Sequence, residues 1–515
     1  MIPVQTSAPT SATARPEPTV EERRYAYYAL GLLAFINLLN YLDRNVIFAL
    51  FEPIKAELSL TDAQLGWLGS AYILVFSIAA LPFGVLSDLR SRRAVIAGGV
   101  AFWSAFTFLG GLVRNFWQLF VCRASVGIGE AAYGPAASSL VADYFPGKNR
   151  AMAMGVLSSG VALGGVLGIL LGGILEHYYG WRVAFMAVGA PGFVCAVLVA
   201  RLRDPVRPIA NLKARDLLRE LHLGIRGVMR QLWPLIAGIV VGTIAAYVLS
   251  ERYGADILLD TAAVAIAVGL GLALTIYRWV RLIRADRIDD TPFGGDLGNA
   301  FGDLVGAGRT VLATPTLVFI FLAGAMISFG MNGLVGWGPT FISRELGLDP
   351  SASSQLLGKW GLIAGTAGTL TGGFLADWLR RWTETSRVLV IAAGLLVGGP
   401  LAIWCLMIRD VGLFVPVFSA AFFFLSWYNG PIGAVIFDVV PARIGATVIG
   451  AYLLFIHLAG DAIAFPLVGT LSDRFGLDRA VLLLPAVAIV GGCVVLGAVR
   501  TVRRDMMRCA APPTA

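Results

Sequence analysis

The chain has 515 residues, of which 57% are apolar and only 14% charged, with a mean hydropathy of +0.77 and a net charge of +8. A soluble protein of this length carries about a quarter charged residues, so this chain has too little polar surface for water, and the bilayer is its natural solvent. Five cysteines without C-x-x-C spacing and three dispersed histidines argue against a disulfide framework, a metal site or any cofactor.

Residues 1–22, rich in Pro, Thr, Ser and Ala, read as a disordered cytoplasmic tail without a cleavable leader. About 20 apolar residues cross the hydrocarbon layer as a helix, and the runs here lack the alternation of barrel strands. Fourteen spans are expected, near 27–50, 64–87, 94–113, 117–141, 151–175, 181–200, 232–250, 258–280, 311–338, 354–378, 387–407, 411–435, 444–470 and 480–500. The expected class is an all-α polytopic membrane protein. An N-terminal six-helix bundle (23–203) is followed by a cytoplasmic linker (204–308) holding an inserted hairpin at about 232–280. A C-terminal six-helix bundle (309–502) and a cytoplasmic tail (503–515) complete it. With the N-terminus inside, 29 of the 40 Lys and Arg fall in cytoplasmic segments and 9 in external ones. That bias fits the positive-inside rule and places both termini in the cytoplasm, in a multi-pass inner-membrane protein expected to be a monomer. It also makes the net charge a topological signal, with no nucleic-acid partner expected.

The first span carries Asn40-Tyr41-Leu42-Asp43-Arg44 in mid-helix. An ionisable group within a span costs about 3 kcal/mol on insertion scales, which makes it a functional candidate by default. Adjacent residues point apart on a helix, so Asp43 and Arg44 must find partners on other helices or face water. The second span closes on Gly84-Val85-Leu86-Ser87-Asp88, followed by Arg90, Arg92 and Arg93. The fourth begins at Arg123, with Glu130 seven residues on and on the same face. These charges would line an N-terminal cavity, form helix-to-helix salt bridges, or do both. Glycines 155, 160, 164, 165, 168, 172 and 173 in the fifth span serve either a hinge or tight packing. The inserted hairpin reads as a packing accessory. Tyr41, Tyr133, Asn332, Trp337, Trp427 and Asn429 are cavity candidates, with packing as the alternative for each.

At the end of the eighth core span, Gly373-Phe374-Leu375-Ala376-Asp377, followed by Arg380 and Arg381, repeats the turn after the second. An aspartate at a helix end can hold neighbouring ends by charge and capping, so Gly84, Asp88, Arg92, Arg93, Gly373, Asp377, Arg380 and Arg381 are read as gating residues. Repeats of this kind build carriers in two halves around a midplane site.

The repeated turn resembles the loop motif of the major facilitator superfamily: glycine, three residues, aspartate, then a basic cluster, with Ser91 where that cluster usually has glycine. Asn40 to Arg44, Arg123 to Tyr133, Ala142-Asp143-Tyr144-Phe145-Pro146 and His457-Leu458-Ala459-Gly460-Asp461 are similar to spinster-type carriers of that superfamily. The resemblance covers most of the chain apart from the tail and hairpin. The first- and fourth-span motifs are shared with organic-anion symporters, whereas His457 to Asp461 favours the spinster type. The resemblance implies the major facilitator fold and secondary active transport by alternating access. It further implies a proton-linked lysophospholipid or sphingoid phosphate substrate, with organic-anion/proton symport as the alternative. Asp43 would be the protonation or gating acid, Arg44 a cavity cation, Arg123 and Glu130 the fourth-helix charges, and His457 with Asp461 a C-terminal polar patch. Substrate, membrane lipids and protons are the expected partners.

Other classes fit less well. No GxxxxGK[ST] loop marks an ATP-driven pump. Ser158-Ser159-Gly160 has no histidine placed as a base, so no enzyme is expected. A channel or sensor is the remaining alternative, against which the turn repeat argues.

Overall fold

The structure is a computed structural model that describes residues 19–89, 91–145, 149–203, 306–441 and 444–510, with scattered positions between 233 and 281. Regular structure among the described residues is helical, and nine helical stretches there are long and apolar enough to cross a membrane. Helix α1 (Val20–Ala49) starts earlier than the expected span and takes in the last residues of the expected tail. The cause is a capping box: Glu22 N–H donates to the Thr19 hydroxyl and the Glu22 carboxylate accepts from Thr19 N–H. The chain continues through α2 (Phe51–Leu58), α3 (Asp62–Leu89), α4 (Arg92–Gly110), α5 (Phe116–Ala131), α6 (Tyr133–Tyr144) and α7 (Arg150–Ala200). Gly180, at φ 80° and ψ 161°, divides α7 into two spans, a backbone setting that glycine adopts without strain.

The second half comprises α8 (Pro315–Leu346), α9 (Pro350–Leu379), α10 (Ser386–Met407) and α11 (Val411–Leu425), with a 3₁₀ turn leading into α12 (Asn429–Val439). Helix α13 (Gly445–Ile456) passes through a π turn, His457–Asp461, into α14 (Ala462–Phe475). Short α15 (Leu477–Ala480) precedes α16 (Leu483–Leu496), and the expected C-terminal tail contains α17 (Val502–Ala510). Asp505 on α17 is buried and accepts from Thr316 N–H at 3.0 Å and Thr316 Oγ1 at 2.7 Å, capping the start of α8. The expected hairpin lies outside the described residues apart from scattered helical positions, among which Arg278 sits 5.7 Å over the Trp233 ring.

Helices α1–α7 form an N-half and α8–α17 a C-half. Within the N-half, α7 lies against α1 along a glycine stripe. A Cβ at Gly160, Gly164 or Gly168 would come within 2.4–2.8 Å of the α1 backbone, so these three serve close packing, whereas one on Gly155 would meet open space and Gly165 lines the central cavity. The halves meet at the end carrying the Leu50–Asp62 segment, which we call the latched end. There the Arg344 guanidinium reaches both Asp62 oxygens at 2.7 and 2.8 Å and Glu52 at 2.8 Å, while Lys55 adds a 2.6 Å bond to Asp62. The Asp473 carboxylate accepts from the first N–H groups of α3, those of Asp62 and Ala63, both at 2.8 Å. One half thus caps a helix of the other, with the negative charge at the positive end of the dipole. Deeper in, Ser70 donates to the Ala462 carbonyl at 2.7 Å, and the Phe48 and Phe465 rings stack at 4.9 Å.

Toward the opposite end the halves diverge, and on α9 Leu370 and Phe374 are 69% and 71% exposed. There each half carries its own clamp. Arg92 pairs with Asp143 and Arg387 with Asp438, and the two residues of each pair are 51 positions apart in the chain. The same clamp therefore recurs at matching places in the two halves.

Candidate functional site

Between the halves, closed at the latched end and reaching toward the open one, lies a cavity of about 490 Å³. Its wall is mostly apolar, with residues such as Phe48, Phe76, Ile169, Val335, Leu357 and Phe422. Its charged and imidazole side chains fall in two patches, one on each half, while Thr366, Thr369 and Ser426 add hydroxyls elsewhere on the wall.

The N-half patch is built on α1. Because neighbours on a helix diverge, Asp43 and Arg44 leave it in different directions and take different partners on α5. Asp43, 2% exposed, receives Arg123 Nη1 at 3.0 Å and the Thr107 hydroxyl from α4. Arg44 Nε donates to Glu130 Oε2 at 2.7 Å, and the Glu130 side chain is wholly buried. The acid and base that α5 carries seven residues apart are therefore not each other's partners. Arg44 lines the cavity. Its guanidinium lies among the rings of Tyr41 at 4.4 Å, Phe76 at 4.5 Å and Tyr72 at 5.0 Å, where the ring quadrupoles offset part of its desolvation. Asp43, Arg123 and Glu130 sit behind the cavity wall, supplying the balance of charge.

The C-half patch sits at the π turn. Winding there lets Ala462 N–H donate to the His457 carbonyl, five residues back, and brings His457 Nδ1 to 2.9 Å from Asp461 Oδ2. Inserted π turns of this type recur at functional sites. Asp461 also accepts from Ser328 Oγ at 2.9 Å and Asn332 Nδ2 at 3.3 Å, both on α8. His457, Asp461, Asn332 and Asn429 line the cavity.

Other expected site residues lie elsewhere. Tyr133 is buried in the N-half with its hydroxyl on the Leu33 carbonyl, and its ring meets Trp103 edge-on. Trp337 is fully buried against Phe51. Trp427 packs over Gly372 and Gly394 and against Phe423 and Phe424. Tyr133 and Trp427 are packing residues rather than lining ones, and Trp337 lines only a smaller apolar cavity within the C-half. In the second turn motif, a Cβ on Gly373 would meet open space, whereas one on Gly372 would lie 2.6 Å from the Trp427 backbone. Gly372 rather than Gly373 is therefore the residue of this turn that admits a neighbouring helix. Asp377 takes Arg387 at 3.0 Å, and Arg380 reaches Asp438 at 3.3 Å. Arg381 is exposed. In the first copy Arg92 is buried on Asp143 and Arg93 donates to the Leu202 carbonyl at 2.9 Å. Gly84 and Asp88 fall in the last turns of α3, and their side chains lie outside the described residues.

Sequence reasoning missed Tyr72 and Phe76, Thr107, Ser328, the clamp acid Asp438 and the Asp62–Arg344 latch. The clamp acids have a signal: Asp143-Tyr144-Phe145-Pro146 is echoed by Asp438-Val439-Val440-Pro441. Tyr72 and Phe76 stand four apart in an apolar helix, a spacing that ordinary packing produces equally often.

The chain's comparisons with known proteins agree with this fold. Residues 33–460 match the family described as Major Facilitator Superfamily. An MFS-type efflux pump of Mycolicibacterium smegmatis is 26% identical over 511 residues, covering 97% of this chain and 99% of that protein. The sphingosine-1-phosphate transporter SPNS2 of Xenopus tropicalis is 24% identical over 515 residues, covering 94% and 83%. A crystal structure of a bacterial homolog of the human lysosomal transporter spinster, inward-facing and unoccupied, superposes with a TM-score of 0.71 at 22% identity, over 96% of this chain and all of that one.

Proposed function

Since the chain belongs to the major facilitator superfamily, and is thus a multi-pass membrane transporter, we propose that it is a secondary active carrier that moves an amphiphilic anion, such as a lysophospholipid or sphingoid phosphate, by proton-linked alternating access. The observation that carries this reading is the cavity itself: an apolar wall with Arg44 on one half and His457 on the other. A second, apolar cavity within the C-half shares Val335, Leu357 and Phe422 with the first. An alkyl chain fits such a wall, and the planar fork of Arg44 suits a phosphate or carboxylate. With the N-terminus in the cytoplasm of an inner-membrane protein, the open end faces inward and the latch closes the outer side. The relatives named as a sphingosine-1-phosphate transporter and an efflux pump support movement of such solutes.

In this mechanism Glu130 and an anionic ligand compete for Arg44. A proton on Glu130 removes the charge that holds Arg44, freeing the guanidinium for a head group. Loss of the proton draws Arg44 back to Glu130 and expels the ligand. Asp43 keeps Arg123 neutralised while this happens, and the motif clamps keep each half rigid as the latch opens and closes. Organic-anion/proton symport is the second reading, favoured by two groups able to carry positive charge across one cavity. Uptake into proteoliposomes separates them. Lysolipid movement driven by an imposed proton gradient supports the first reading, and movement of small carboxylates alone transfers the function to the second.

A further inference from the structure

We infer that Tyr72 is a positioning residue for Glu130: its hydroxyl serves the carboxyl in both protonation states and so sets the pH at which Arg44 is released. The inference rests on the reading of Glu130 as the proton-binding acid. It begins with two buried polar atoms. Glu130 Oε2 is taken by Arg44, but Glu130 Oε1 and the Tyr72 hydroxyl each have no hydrogen-bond partner among the described residues. Leaving either so is costly, and more so for the carboxylate. The two are neighbours. At Gly127, one turn before Glu130, a Cβ would lie 2.6 Å from the Tyr72 carbonyl and 2.9 Å from Phe76 N, so α3 and α5 touch backbone to backbone there. The Tyr72 ring stands 5.0 Å from the guanidinium of Arg44, which Glu130 holds, and 5.9 Å from that of Arg123.

Tyr72 and Arg44 line the cavity and Glu130 does not, so both stand between the carboxyl and the cavity. The remaining groups around Glu130 cannot do the same task. Asp43 and Arg44 on α1 and Arg123 on α5 are held in ion pairs, and the Arg123 Nε that lacks a partner can only donate. Tyr41 on α1 lies against Arg44. Helix α4 presents Gly99 and Trp103 to this part of α5 and gives its Thr107 hydroxyl to Asp43. Tyr133 on α6 is spent on the Leu33 carbonyl. A hydroxyl, by contrast, donates to Oε1 when the carboxylate is charged and accepts from it when Oε1 carries the proton.

The test is Tyr72→Phe, which keeps the ring over Arg44 and removes the hydroxyl. The readout is the infrared carbonyl band of protonated Glu130 in liposome-reconstituted protein, identified by its loss in Glu130→Gln. Because a hydrogen bond to the charged form is stronger than one to the neutral form, the band in Tyr72→Phe should grow in at a pH about one unit higher. A band that titrates at the wild-type pH in Tyr72→Phe would overturn the inference. Phe76→Leu removes a ring without a hydroxyl, and an equal displacement there would also overturn it by tracing the effect to packing. Wild-type uptake that ignores a proton gradient, with the band displaced in Tyr72→Phe, would instead sink the proton link of the proposed function and leave the role of Tyr72 standing.

Discussion

At the centre of the N-half two carboxylates and two arginines are locked in separate pairs, Asp43 with Arg123 and Arg44 with Glu130. At the centre of the C-half one carboxylate, Asp461, is shared among a hydroxyl, an amide and an imidazole. In the first case each charge is balanced by one partner, and deleting either member strands the other in a low-dielectric interior, at about 3–5 kcal/mol. In the second the donors are neutral or titratable, and losing one leaves others to re-form bonds. The two halves share a clamp, yet among the described residues only the N-half holds arginine–carboxylate pairs at its centre. We read the N-half as the side that couples ion to solute, and the C-half as the side that adapts to what is bound.

That contrast can be broken experimentally, most forcefully at Asp43. Asp43→Asn leaves Arg123 without a counter-charge, so we expect gradient-driven uptake to fall by about 100-fold, with a lowered melting temperature. Undiminished uptake in liposomes would remove Asp43 from the mechanism. Arg44→Lys keeps the charge but loses the fork and the flat stacking surface. A loss of about ten-fold is expected, seen mainly as a raised half-saturation concentration for anionic solutes. Asp461→Asn should raise that concentration only about three-fold, since Ser328, Asn332 and His457 can rearrange around an amide. A loss as large as that of Asp43→Asn would abolish the distinction between the halves.

The smallest effect lies at the rim of the latched end, within the N-half. There Arg182, and after it Trp181, hydrogen-bond the Glu57 carboxylate and hold it below the usual glutamate range. A depressed folded-state value adds stability above the unfolded value, lost as pH falls through the folded one. Half of the Glu57 side chain is exposed, so screening keeps the contribution small. Melting curves of Glu57→Gln should fall slightly below wild type at neutral pH and converge with it in acid. Curves that stay apart in acid would show that the difference is not electrostatic.

Hydropathy made the spans legible, and the charges within them stood out because lipid makes such groups expensive. That Asp43 and Arg44 need separate partners followed from helix geometry. Which partner each takes did not, because that depends on how α1 and α5 are rotated about their axes. Tyr133, Trp337 and Trp427 were indistinguishable from lining residues for the same reason: an aromatic group midway along a span faces cavity or neighbour according to a rotation the sequence leaves open. Gly373 and Gly372 differ by one position, about 100° around the helix. The Asp62–Arg344 latch joins residues 282 apart, at helix ends where charges are ordinary. Its partners are chosen by how the halves dock, which no local pattern encodes.

The glycine stripe between α1 and α7 has a consequence for how such a chain can drift. At Gly164 and Gly168 even a methyl group would press to 2.4 Å of a carbonyl oxygen. The pockets around Asp461, in contrast, hold several interchangeable donors. Lineages of this protein can therefore experiment with cargo while the contact beneath it stays frozen. Positions where no chemistry takes place are thus among its least forgiving.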